Sequence, residues 1–212
     1  KFTEPKKGNG FNQFKTTVID RIVSDLGLPA NRFIFTPGNH DVNQKAETED
    51  DDNELTQDLN SQKKVDIFIH QENVADRIPR IKEYNTFRDN YWNNIHDVEK
   101  YVYPLQLGIK IKIDGLTVGI NCMNTAWRCY NSKTDKGKIL TGKSQITDMK
   151  DFFDDCNLRF AIAHHMPVFM NHFESGDLVK VIARNYDAIF YGHTHEEEGK
   201  YESRPEGSCF FF

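Results

Sequence analysis

The chain contains no run of 18 apolar residues, the length a helix needs to cross a bilayer. Its opening stretch, KFTEPKKGNG, lacks the apolar centre of a secretion signal. Cysteine is scarce. Cys122, Cys129, Cys156 and Cys209 stand far apart and make no C-x-x-C pair. That argues against a zinc ribbon or a disulfide framework and suits reduced thiols in a cytoplasmic protein. Positive charge is not in excess either. With 27 Lys and Arg against 32 Asp and Glu, the net charge of -5 offers no broad phosphate-gripping surface, so nucleic acid is disfavoured as the main partner. No internal repeat is evident.

The 212 residues suffice for one domain with a proper core. The ends read as cut: the first residues resemble the middle of a loop, and EGSCFFF resembles a strand interrupted part-way. A piece of a longer protein, with further domains, is the expectation.

Phe11, Phe14, Val18, Ile22 and Leu26 recur at helical spacing before Gly27, which predicts an amphipathic helix. RFIFT (32–36) predicts a short strand. Residues 45–62 are acidic and nearly free of apolar side chains, so they read as a solvated, mobile insertion without the Gly and closing Glu of a calcium loop. The stretch 64–96 reads as helical, with Tyr84, Phe87, Tyr91, Trp92 and Ile95 on one core-facing side. LGIKIKIDGLTVGIN (107–121) alternates around Asp114-Gly115 and predicts a hairpin. A helix is expected over 142–155, with Ile146, Met149, Phe152 and Phe153 buried. RFAIA (159–163) predicts a strand, DLVKVIARN (177–185) a helix, and DAIFY (187–191) a strand.

Three predicted strands each run into side chains that can hold a metal: Asn39-His40-Asp41, His164-His165, and His193-x-His195. One such cluster is an ordinary capped strand end. Three in the same position are not, because parallel strands bring their carboxyl ends to one edge of a sheet, where α/β folds build their sites. Imidazole nitrogens with an amide oxygen and no thiolate suit Mn, Fe, Zn, Co or Ni. His193 and His195 point to one side if their loop is extended, so each could face one ion of a close pair.

Taken in order, GNHD (38–41), HHMP (164–167) and GHTH (192–195) resemble the calcineurin-like metallophosphoesterases. The resemblance covers nearly the whole chain and includes INCMNTAW (120–127). It is nearest to the bacterial cyclic-nucleotide phosphodiesterase type. It implies a four-layer αββα sandwich, two central sheets with helices outside, and a single domain over 1–212 lacking its N-terminal segment. It also implies two divalent or mixed-valence transition metal ions about 3.5–4 Å apart, sharing a water or hydroxide, and hydrolysis of a phosphodiester or phosphomonoester, nucleotides included.

Carried over residue by residue, Asn39 and His193 would bind one ion and His195 the other. Counting from the strand end selects His164 as a further ligand, and counting back from Pro167 selects His165; His164 is taken here, with His165 kept as the alternative. His40 would be the non-ligand histidine that protonates the leaving oxygen or stabilises the transition state. Asp41 would orient His40 or brace the loop. Asn124 could touch metal or substrate, or merely cap a strand. His172 with Glu174 reads as a surface loop, and Arg128 and Arg184 as solvated. The family's Asp-x-His and Gly-Asp-x-x-Asp are absent from these 212 residues, so a full two-metal site needs upstream chain. The rival readings are a non-catalytic regulatory or scaffold module on the same fold, and a nuclease.

Overall fold

The computed structural model describes residues 10–131, 134–194, 199–205 and 207–212. Its centre is a seven-stranded sheet built from β1 (Glu99–Tyr103), β2 (Gln106–Ile113), β3 (Leu116–Met123), β4 (Leu158–Ile162), β5 (Ala188–Phe190), β6 (Lys200–Arg204) and β7 (Gly207–Phe211). The strand order is β1-β2-β3-β4-β5-β7-β6. β3, β4, β5 and β7 run parallel, and β1, β2 and β6 pair antiparallel with their neighbours. The β2–β3 hairpin turns at Asp114 and Gly115, with φ of 49° and 84°, the left-handed pair that a two-residue turn demands.

Helices α1 (Gly10–Phe14), α2 (Asp20–Leu26), α3 (Glu49–Asp58), α4 (Gln62–Ile69), α5 (Lys82–Asn93), α6 (Ser144–Thr147) and α7 (His172–Asn185) cover the sheet. Side chains alternate across it. Ile109, Val118, Cys122, Phe160 and Ile162 face Ile19 and the aromatic side of α5, where Phe87, Tyr91 and Trp92 are buried. Met123, Ala161, Ala163 and Ile189 face the opposite way, toward α3, α4, α6 and α7. Both faces are covered by helices, which is the expected mixed α/β class. Of the two sheets expected, the described strands form one. No helix among the described residues is long and apolar enough to cross a membrane.

Four local expectations change. Residues 33–36 join no strand ladder. Phe33 and Phe35 pack among Phe14, Phe87 and Tyr91 on the α5 side of the sheet, whose central strands already have partners, and Thr36 Oγ1 donates to Met123 O at 2.6 Å. The acidic stretch holds a folded helix. Thr48 and Asp51 form a reciprocal capping box at the start of α3, and Leu55 and Leu59 enter the core. The helix expected over 64–96 divides into α4, which stops at Ile69, and α5, which starts at Lys82, and Pro79 disfavours helical backbone at Ile78 between them. Beyond Thr147 the bonds mix three- and four-residue spacing, as in Lys150 N to Thr147 O and Phe153 N to Met149 O, and regular helix stops. Asp151, Asp154 and Asp155 there oppose a helix C-terminus. Ile146, Met149 and Phe153 are buried all the same.

Candidate metal centre

The parallel run of β3, β4 and β5 sends Asn124, His164 and His193 to one edge of the sheet. The turn after Phe35 reaches the same edge from outside the ladder. Asp41 closes that turn: its Oδ2 accepts from Gly38 N at 2.8 Å and its own N–H donates to Gly38 O at 3.0 Å. Asn39 is thereby turned inward and is 5% exposed, while His40 next to it faces solvent.

Asn39 Oδ1 lies 3.0 Å from His164 Nε2, and His164 Nε2 lies 3.1 Å from His193 Nδ1. The donor atoms of His164, His165 and His193 all lie within 4.8 Å of one another. Ligands about 2.1 Å from one ion stand roughly 3.0–3.4 Å apart, by octahedral or tetrahedral geometry. The Asn39–His164 and His164–His193 spacings fall at the lower edge of that range, so this donor set fits a transition-metal ion.

Two backbone features create the close approach. A Cβ on Gly38 would stand 2.9 Å from His164 Cε1, so only glycine lets the turn lie against that ring. His193 has φ of 74°, rare for a residue with a side chain, and Thr194 N–H donates across it to Gly192 O at 3.0 Å. The backbone is therefore sharply turned at His193 rather than extended there. Such strain is held by its surroundings and gathers at functional sites. Here Gly192 N donates to His164 O at 3.2 Å and Phe169 stacks edge-on against His193. His195 lies outside the described residues.

His165 is placed differently. It is 1% exposed; its Nδ1 lies 3.1 Å from Thr125 Oγ1 and its Nε2 lies 3.8 Å from Cys129 Sγ. Its backbone N–H also donates to Thr125 Oγ1 at 3.0 Å. Burial, reinforced by His164 and His193, pushes its pKa down to about 3, so the ring is neutral. Both nitrogens face protein groups, whereas His164 meets Asn39 and His193.

Asn124 is fastened at the end of β3. Its N–H donates to Gln145 Oε1 and its Oδ1 accepts from Ala126 N, the geometry of a strand-end cap. Its Nδ2 is buried without a partner among the described residues. Glu174 is not on a surface loop: it is 1% exposed and accepts from Thr141 N at 2.7 Å and Gly142 N at 2.9 Å. Burial outweighs those two donors and raises its pKa to about 7. Arg128 is not solvated but 5% exposed, paired with Asp52. The sequence reading gave Thr125 and Cys129 no role beside the histidines; their place directly after a strand that ends there was the available signal.

No curated protein and no solved structure matches the chain. The model of the calcineurin-like phosphoesterase family matches residues 8–197, a span that contains all three polar clusters, and the α/β architecture agrees with that fold. The chain belongs to the calcineurin-like phosphoesterase family.

Proposed function

We propose that this protein is a phosphoesterase that works with two transition-metal ions, acting on a phosphodiester or phosphomonoester such as a nucleotide. The observation that carries this reading is the convergence of Asn39 Oδ1, from a turn outside the ladder, with His164 Nε2 and His193 Nδ1, from the ends of β4 and β5. Asn39, His164 and His193 hold one ion, and His195 serves the second. When bound, such ions act as Lewis acids on the phosphoryl oxygens and make water a nucleophile near neutral pH.

The chain's own groups supply the rest. Asn39 contributes a neutral oxygen, so the site keeps positive charge for an anionic ester. His40, exposed beside the buried Asn39, meets substrate arriving from solvent and gives a proton to the leaving oxygen. Asp41 fixes the turn through Gly38 rather than by gripping His40. Asn124 caps β3. The four free cysteines, all buried, favour a reducing cytoplasm, and the motifs resemble those of the bacterial cyclic-nucleotide phosphodiesterase type.

Hydrolysis of a chromogenic phosphodiester and a chromogenic phosphomonoester, with and without a chelator, tests the reading. Turnover abolished by the chelator and restored by Mn²⁺ or Zn²⁺ is expected. Bound metal without turnover of either ester would favour a non-catalytic module on the same fold.

A further inference from the structure

Arg80 lies between Pro79 and Ile81, just before α5, and is 1% exposed. A guanidinium withdrawn from water needs partners on every side. They come from the two segments that flank the histidine cluster. From the segment following the Gly38–Asp41 turn, Glu47 Oε2 accepts from Nε and Asp52 Oδ1 accepts from Nη2 at 3.1 Å. The Arg80 carbonyl accepts from Asn43 N at 2.8 Å, four positions beyond Asn39. From the segment following β3, Cys129 O accepts from Nη1 at 3.1 Å, and the guanidinium lies over the Tyr130 ring at 5.5 Å. Cys129 is the residue whose Sγ faces His165 Nε2. Arg128 shares Asp52, with Nη1 3.1 Å from Oδ1, so two buried arginines and two partly buried carboxylates form one connected ion group.

A buried ion group adds little stability over apolar side chains of the same volume. What it adds is geometry, because the planar fork of arginine fixes several acceptors at once. We propose that Arg80 is a positioning residue of the metal centre. Its fork locks the Asn39 turn to the 125–130 loop, which keeps Asn39 in register with the His164–His165 strand end. The acidic segment is then half of an internal clamp. This inference rests on the metal-centre reading.

The test is a Co²⁺ titration of the intact protein, reading the dissociation constant and the d–d absorption bands, with melting of the metal-free form alongside. Arg80→Lys keeps the charge and loses the fork; it should weaken Co²⁺ binding about 10- to 100-fold, the range for groups that orient ligands, and alter the bands. Asp52→Asn is milder, should cost about tenfold, and carries the test if Arg80→Lys does not fold. Ile109→Ala, on the opposite face of the sheet, should lower the melting midpoint and leave the bands as they are. Wild-type affinity and bands in both clamp variants would overturn the role of Arg80 alone, and so would band changes that Ile109→Ala reproduces. A wild-type protein without Co²⁺ bands would overturn this inference together with the metal centre.

Discussion

Asn39 Oδ1 and His164 Nε2 stand 3.0 Å apart although 125 positions separate them in the chain. No local turn or helix brings them together. The contact exists because β4 delivers His164 to the sheet edge and Gly38 lets the Asn39 turn lie against its ring.

The two neighbouring histidines should separate on substitution. His164→Ala removes a donor that meets both Asn39 and His193, and should weaken metal binding at least 100-fold. His165→Ala should weaken it less, because Thr125 and Cys129 occupy the surroundings of its nitrogens. Equilibrium dialysis against Mn²⁺, read by elemental analysis, ranks the two. A larger loss for His165→Ala would reverse the assignment.

His40→Ala should lower kcat by about 10²–10⁴ while metal content stays near wild type, as fits a proton donor outside the ligand set. Steady-state kinetics and metal analysis on the same preparation decide it. Parallel loss of metal and activity would make His40 a ligand.

Gly38→Ala places a methyl carbon 2.9 Å from the His164 ring. Turn or ring must shift by several tenths of an ångström, so metal affinity should fall by about tenfold or more, since reorienting a ligand costs that much. The melting midpoint of the metal-free form should move little. Calorimetric titration of both forms reads the difference.

Glu174 yields a pH effect of definite sign. Its folded pKa is raised to about 7 from an ordinary 4.5, chiefly by burial. Between those values the native state holds a proton that the unfolded state has released. Its contribution to stability is therefore full below about pH 4.5 and falls as pH rises to about 7, by about 3 kcal/mol in all. Urea unfolding of wild type and Glu174→Gln across pH 4.5–7.5 should show wild type losing ground to the variant as pH rises. Parallel curves would mean the carboxylate is ionised throughout.

The sequence carried the parts of this molecule that depend on short-range chemistry. The Asp114-Gly115 hairpin, β4, β5 and α7 follow from alternation, helical spacing and turn residues, and the three polar clusters follow from reading what comes after each apolar run. Long-range compensation was not visible. The 45–62 segment looked too polar to fold because the partners of Glu47 and Asp52 are Arg80 and Arg128, 28 to 76 positions away and buried. RFIFT has strand composition, but Phe33 and Phe35 serve a sheet face rather than a ladder. The left-handed backbone of His193 breaks the usual preference of a residue with a side chain, so no propensity rule would have found it.

The most direct measurement is anomalous X-ray scattering from crystals of the intact protein grown with Mn²⁺. The account predicts a strong peak within ligand distance of Asn39 Oδ1, His164 and His193, with a second peak about 3.5–4 Å away. Bound Mn²⁺ elsewhere, with the three side chains still hydrogen-bonded to one another, would contradict it.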